Sequence, residues 1–408
     1  MEEEKMEEEK KERIYKSLML ILITVIITFI LTSMMVYKAM TKDGFKYVTT
    51  ADGQTIGLDA TLASFRKVLE KEYLGEIDDN ELIEGAIKGY IAGLNDPYTE
   101  YYTKEEMKKL MDTTNGNYVG IGIYMLLDKE KNAIVIIKPM EGSPAEKAGL
   151  LPGDVISKVD GEPYTLETIT AISDKIKGKA GTKVKLEICR GETETFEVEV
   201  ERQKILISHI KTEVLENNIG YIYISDFDGG CADEFTEKYK ELEKQGIKKL
   251  IIDIRNNGGG IVDEAIDILK LITNKGDKLL ITKDKKENEK ISKNDKNPII
   301  EMPIVVLTNS YSASASEILT GALKDNEKAT IVGTTTYGKG VIQTIHQLTD
   351  GSGLKITTNE YYTPNYNKIN KIGIEPNIEV ELPKEYENAL VIPKDKDTQL
   401  QKAIELLK

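Results

Sequence analysis

Pro303-Ile-Val-Val-Leu-Thr-Asn-Ser-Tyr-Ser-Ala-Ser-Ala-Ser-Glu317 runs from an apolar strand-like segment into a turn of small residues. A helical pattern through Ala322 follows. A small-residue turn between a strand and a helix can hold a nucleophilic serine at a helix N-terminus. The same alternation recurs on both sides. Ile219-Gly-Tyr-Ile-Tyr-Ile224 reads as a strand and Ala232 to Gln245 as a helix stopped by Gly246. Leu250-Ile-Ile-Asp-Ile254 reads as a buried strand, followed by Arg255-Asn-Asn-Gly-Gly-Gly260, a helix over 261–272 and a strand at Ile331-Val-Gly333. Strands alternating with helices predict an α/β core with helices packed on a sheet. The lysine- and asparagine-rich stretch 282–297 is expected to be an exposed loop, and 397–407 an amphipathic helix.

At 408 residues the chain can hold two or three domains. Its net charge of −14 argues against a nucleic-acid partner, because phosphate binding needs a basic surface. Cys189 and Cys231 lie in different segments and read as free thiols, and no Cys/His spacing suits zinc. Residues 18–36 carry no charge and as a helix would span about 30 Å, enough to cross a bilayer. Lys10, Lys11, Arg13 and Lys16 precede them, which places the N-terminus in the cytoplasm and the rest of the chain outside. The expected organisation is therefore a cytoplasmic tail (1–16), a transmembrane anchor (17–37) and a stalk (38–58). An N-terminal helical region (59–116) follows. Within it, Leu62, Phe65, Val68 and Leu69 share one helical face, and Leu82, Ile83, Ala86, Ile87 and Ile91 another. Asn95-Asp-Pro-Tyr98 ends that pair.

Residues 117–202 form a compact module. Strand-like 118–124 and 133–137 lead to Ser143-Pro-Ala-Glu-Lys-Ala-Gly149, a short helix with a serine cap, a proline in its first turn and a glycine stop. A turn and strand over 151–161, a helix over 166–177 and strands at 182–190 and 193–202 complete it. This order resembles a PDZ domain. The resemblance is carried by Gly120-Ile-Gly-Ile123, by Gly142-Ser-Pro-Ala145, by Ala148-Gly-Leu150 and by Gly153-Asp154. It makes Gly120, Ile121, Gly122 and Ile123 the candidate peptide-binding loop, whose backbone N–H groups would receive a terminal carboxylate while the peptide adds as a strand.

Three segments carry the candidate chemistry. In Asp253-Ile-Arg-Asn-Asn-Gly-Gly-Gly260, glycines after a strand let backbone N–H groups face a ligand oxygen and serve as an oxyanion hole; no Gly-Lys-Ser/Thr follows to make a phosphate loop. In the serine-rich segment Ser312, Ser314 and Ser316 are all candidate nucleophiles, although helix caps favour serine in any protein. The third is Tyr337-Gly-Lys-Gly-Val-Ile-Gln343. Lys339 as a base must be neutral, and bringing its pKa from about 10.4 to about 7 means destabilising the charged form by about 4–5 kcal/mol. Burial is the available cause, and Gln343 could hold the amine without adding charge. With only two histidines, a Ser-His pair is limited to His209 and His346.

Taken together and after a PDZ-like module, these segments resemble the carboxyl-terminal processing (tail-specific) proteases over residues 59–408. The most specific parts are Ser312-Ala-Ser-Ala-Ser-Glu317, Tyr337-Gly-Lys-Gly340 with Gln343, Gly351-Ser-Gly-Leu-Lys-Ile-Thr-Thr358, Tyr361-Tyr-Thr-Pro364 and Gly373-Ile-Glu-Pro376. The resemblance implies an α/β, crotonase-like protease core over 203–385, a C-terminal helical tail over 386–408, and a Ser-Lys dyad that cleaves proteins near their C-termini. It makes Ser314 the nucleophile, Lys339 the general base and Gln343 the residue that positions it. The N–H of Ala315 and that of Gly259 or Gly260 would bind the oxyanion, and no metal or cofactor is implied. The sequence departs from the family pattern at Gly258, where proline is common, and at 365–368. The expectation is a membrane-anchored, outward-facing serine endopeptidase. Its partners would be proteins with exposed C-terminal tails, with homo-oligomer surfaces sought on the helices at 59–94 and 397–407. The rival reading is a catalytically inactive PDZ adaptor; a crotonase-like acyl-CoA enzyme ranks below it.

Overall fold

The computed structural model describes residues 58–408 except 115–117, 129–132, 164–168, 192, 206–207 and 387–391. It also describes 48–49, 55–56 and single helical positions between 16 and 32. Most of the expected anchor at 17–37 and most of the stalk lie outside the described residues. Among the described residues no helix is long and apolar enough to cross a membrane.

The chain divides into two compact units, 1–85 and 86–408. In the first, β1 (Val48–Thr49) pairs with β2 (Thr55–Ile56), and α1 (Leu58–Glu72) precedes the start of α2 (Asp79–Ala92). The apolar face expected on α1 is present and its Leu62, Phe65 and Val68 are exposed.

The second unit holds the module and the core. After β3 (Glu100–Tyr102) and α3 (Lys104–Thr114), β4 (Tyr118–Gly120) leads into the module and β11 (Gln203–Ile205) leads out. These two strands pair antiparallel, so both ends of the module are clasped together, as befits an insertion. Between them lie β5 (Ile123–Asp128), β6 (Ala133–Pro139), α4 (Pro144–Lys147), β7 (Val155–Val159), β8 (Glu162–Pro163), α5 (Ile169–Ile176), β9 (Lys183–Arg190) and β10 (Glu194–Glu201). The sheet order is β10-β9-β7-β6-β5, which leaves β5 at an edge. Its core is aliphatic: Ile134, Ile136, Ile156, Ile172, Leu186 and Ile188 are buried.

The core sheet runs β12 (Ile210–Leu215), β13 (Ile219–Ile224), β14 (Lys249–Asp253), β17 (Ile304–Thr308), β18 (Thr330–Gly333), β21 (Ile378–Glu379). All pairs but β12–β13 are parallel. Both faces are covered, which is why these strands read as unbroken apolar runs. Leu250, Ile252 and Val306 face α6 (Cys231–Lys244), α7 (Val262–Ile272) and α8 (Ala315–Asp325), while Ile251, Val305 and Leu307 face α9 (Thr398–Leu406). The C-terminal helix is thus one wall of the core rather than a tail. Arg255, buried at the end of β14, ties it down: its guanidinium grips both carboxylates of Asp253 and Asp397, with Nη2 at 2.6 and 2.8 Å, and Asp397 caps α9.

A second sheet, β16 (Glu289–Lys293), β15 (Lys278–Asp284), β20 (Gly353–Tyr362), β19 (Val341–Gln347), packs beside it, with β3 paired to β20. The stretch 282–297 is therefore not a loop: much of it is the β15–β16 hairpin, whose lysines suit a solvent-facing edge strand.

Candidate active site

Ser314 stands at the junction of β17 and α8, half-buried, with φ 55° and ψ −115°. A non-glycine residue in that region stores about 1–3 kcal/mol, held by its surroundings. The other two serines are structural. Ser312 is fully buried and its hydroxyl donates to the Ile254 carbonyl at 2.8 Å; that of Ser316, equally buried, donates to the Asn257 carbonyl at 2.9 Å. Both hydroxyls staple the serine turn to the loop after β14. The Ala313 N–H reinforces the seam by donating to Asn257 O at 3.0 Å. The Ser314 hydroxyl makes no bond to that loop; it stands at the first turn of α8, in a capping-box arrangement with Glu317.

Glu317, one turn into α8 and wholly buried, organises the rest. Its Oε2 accepts from the N–H of Ser314 at 2.9 Å and from the N–H of Lys339 at 2.8 Å. Its Oε1 accepts from the Thr336 hydroxyl at 2.6 Å and the Gly338 N–H at 2.7 Å. One carboxylate oxygen therefore clasps the backbones of both dyad candidates. Burial pushes the Glu317 pKa up, against the four hydrogen bonds that favour its charged form. Tyr361, buried on β20, adds a second clasp: its hydroxyl lies 3.0 Å from the Ser314 carbonyl and also hydrogen-bonds to the Lys339 carbonyl. Sequence reasoning missed Glu317 and Tyr361 as site residues, although a glutamate three residues into a serine-capped helix is a capping-box signal.

Lys339 is half-buried in the loop between β18 and β19. Desolvation lowers its pKa, with the Lys355 charge acting the same way, while Glu317 and Glu100 oppose them. Its ammonium lies 4.6 Å from the centroid of the Tyr98 ring. Among the described residues it makes no hydrogen bond or ion pair with Ser314 or Gln343. Gln343, on β19, instead donates from Nε2 to Thr357 Oγ1 at 3.2 Å across the strand pair. The expected direct hold of Gln343 on the lysine is thus not made in this conformation. His346 is exposed on β19, and His209 is buried with Nδ1 2.6 Å from Asp226 Oδ1, which raises its pKa. Among the described residues neither histidine makes a hydrogen bond or ion pair with Ser314.

The glycines separate by their contacts. Gly259 has φ +105°, and a Cβ there would sit 2.7 Å from Ser314 Cβ and 2.8 Å from Ala313 O, so glycine is obligatory. Its N–H, however, donates to Asn257 Oδ1 at 2.8 Å. Gly260 forms a parallel bridge with Phe227, whose N–H donates to Gly259 O at 2.9 Å and whose carbonyl accepts from Ile261 N–H at 2.8 Å. That pattern turns the Gly260 N–H to the opposite side. At Gly258, where the family pattern often has proline, a Cβ would meet nothing within 4 Å, so a side chain fits there without a clash.

In the module, Gly122 has φ +76° and a Cβ on it would lie 2.5 Å from Ser143 Cβ. The Ile121 and Gly122 carbonyls accept from Ala145 and Met140, and Ile121 is buried beneath the loop. Gly120 belongs to β4 and Ile123 opens the edge strand β5. Cys189 and Cys231 are free.

Residues 218–380 match peptidase family S41, residues 135–190 a PDZ domain, and residues 21–106 the activating protease CtpB N-terminal domain. The chain is 36% identical over 315 residues to the carboxy-terminal processing protease CtpA of Bacillus subtilis (strain 168), covering 77% of this chain and 67% of that one. The chain belongs to peptidase family S41. To the "Probable CtpA-like serine protease" of Staphylococcus aureus (strain COL) this S41 chain is 37% identical over 332 residues, covering 81% and 66% of the two. It thus spans about two thirds of the length of these relatives. A crystal structure from Bacteroides fragilis NCTC 9343, described as an S41 protease, aligns at TM-score 0.51 with 17% identity, over 82% of this chain and 91% of the other. That supports the S41 fold.

Proposed function

We propose that the chain is a serine endopeptidase that cleaves proteins near their C-termini through Ser314 and Lys339. The observation that carries this is the sorting of the three serines. Ser312 and Ser316 are bonded into the scaffold, while Ser314 is left half-buried at positive φ, with its backbone and that of Lys339 on the same Glu317 oxygen. In the proposed cycle neutral Lys339 takes the Ser314 hydroxyl proton as Oγ bonds to the scissile carbonyl carbon. The carbonyl electron pair moves onto oxygen, between the Ala315 and Gly260 N–H groups. Collapse breaks the C–N bond, and the lysine ammonium returns the proton to the leaving amine. Water, deprotonated by Lys339, then attacks the acyl carbon, the bond to Ser314 Oγ breaks, and the lysine ammonium returns its proton to that oxygen. Gln343 acts with Thr357, which also accepts Gln343 while its own N–H bonds Thr99, to fix the strand face beside the lysine.

The PDZ domain supplies substrate capture in this reading. The free edge of β5 accepts the substrate tail as an added strand, with its carboxylate at the 120–123 loop. Docking there moves the module and aligns Lys339 with Ser314, gating activity. Residues 17–37 anchor the chain in the membrane with the protease outside; retention of the chain in carbonate-washed membranes, and its accessibility to external protease, test that part.

The decisive experiment is mass spectrometry of an unstructured peptide with an apolar C-terminus incubated with wild type, Ser314→Ala, Lys339→Ala and His346→Ala. Cleavage lost in the first two variants and kept in the third is the expected result. A wild type that binds the peptide without cleaving it would favour an adaptor.

A further inference from the structure

The segment 95–98 reads in the sequence as a helix stop, but its tyrosine reaches the site. Asp96 accepts from the Tyr98 N–H at 3.1 Å and from the Thr99 hydroxyl at 2.6 Å. Thr99 Oγ1 in turn accepts from the Thr357 N–H at 3.1 Å, and Glu100 pairs with Lys355 at 2.7 Å. These bonds fix the half-buried Tyr98 ring against Lys339 Nζ, 4.6 Å from its centroid. Burial and the neighbouring Tyr337 push the Tyr98 pKa up, so it stays a neutral phenol and meets the lysine with its ring face.

An aromatic face attracts an ammonium and does little for a neutral amine. Lys339 alternates between those two forms in each turnover. When the Ser314 O–H bond breaks and an N–H bond forms on Nζ, the new cation is half-buried and faces the charge of Lys355 on β20. Of the carboxylates that favour it, Glu317 on α8 has both oxygens engaged by other donors, and Glu100 on β3 is paired with Lys355. The ring is the group in direct contact.

We infer that Tyr98 is a positioning residue whose ring face stabilises the Lys339 ammonium formed as the Ser314 proton is transferred. This rests on the Ser-Lys reading above. It has a diagnostic consequence. Below the lysine's pKa both the resting enzyme and the transition state carry the cation, so weakening the ring leaves the rate unchanged. Above it the resting amine is neutral, and weakening the ring lowers the rate.

The test replaces Tyr98 in the full chain by phenylalanine and by its mono-, di- and trifluorinated forms, which keep the shape and progressively weaken the face. Cleavage of a fluorogenic unstructured peptide with an apolar C-terminus is followed against pH. The high-pH plateau of kcat/KM should fall stepwise by about two- to thirty-fold across the series. The acid limbs should coincide, and their midpoints should move to lower pH. An unchanged plateau overturns the inference. So do acid limbs that fall in parallel with the plateau, since that marks damaged packing. Ser314→Ala and Lys339→Ala run alongside; cleavage surviving in either sinks the Ser-Lys reading itself, whatever the fluorine series does.

Discussion

Glu317→Gln is the sharpest perturbation of this site, because it changes one atom in a carboxylate that holds four donors. If the new amide nitrogen took the Oε2 position, it would face the N–H groups of both Ser314 and Lys339. At Oε1 it faces only one fixed donor, Gly338, because the Thr336 hydroxyl can turn to accept. The second orientation is cheaper. It orphans one buried N–H, about 1–3 kcal/mol, and turns two charge-assisted bonds into neutral ones at about 1 kcal/mol each. The sum is about 3–5 kcal/mol, concentrated on the peptide groups that set Ser314 against Lys339. Removing the charge also relieves the burial penalty that raises the Glu317 pKa, so the lower end of that range is the better expectation. The assay is amide hydrogen exchange by mass spectrometry over 312–320 and 336–341, together with peptide turnover. Faster exchange confined to those segments, with kcat/KM down at least about tenfold, is expected if as little as about 1.4 kcal/mol reaches the transition state. Unchanged exchange and turnover within about twofold of wild type would refute the clasp.

Three further outcomes follow from the same geometry. Gly259→Ala forces a Cβ into Ser314 and Ala313 at φ +105° and should abolish turnover, while Gly258→Ala, with open space, stays within about threefold; peptide cleavage compares them. Activity should rise with pH through the lowered pKa of Lys339, and Lys355→Met should move that midpoint upward, since it removes a repelling charge and frees Glu100; the pH profile of kcat/KM reads the shift. The His209–Asp226 pair contributes stability that His209 loses as pH rises through its raised pKa and Asp226 loses as pH falls through its lowered one. The thermal destabilisation of Asp226→Asn should therefore be largest at about pH 5–6 and shrink as pH rises through the raised pKa of His209.

What the sequence made legible was what depends on neighbours along the chain. β13, β14 and β17 were readable because a strand buried on both faces leaves an unbroken apolar run, and α8 because small residues and a serine precede it. The β15–β16 hairpin was not, because a charged edge strand and a polar loop share one composition. The choice among the three serines was beyond reach of local reading: Ser312 and Ser316 are set apart from Ser314 by carbonyls of Ile254 and Asn257, in a different strand-end loop. Gln343 shows the same limit from the other side. An uncharged amide able to hold the amine suggested a partner for Lys339, but strand pairing set it opposite Thr357, and the amide followed the register. Tyr98 is the extreme case. Nothing between it and Lys339 in the chain links them; only the β3–β20 register, carried by Thr99 and Glu100, puts an aromatic face under the lysine. In the proposed dyad no carboxylate among the described residues pairs with the Lys339 ammonium, so some other group must receive the proton's charge. In the proposed mechanism that group comes from the segment just before β3, so a perturbation of β3 should register in the ionisation of Lys339 before it registers in the stability of the core.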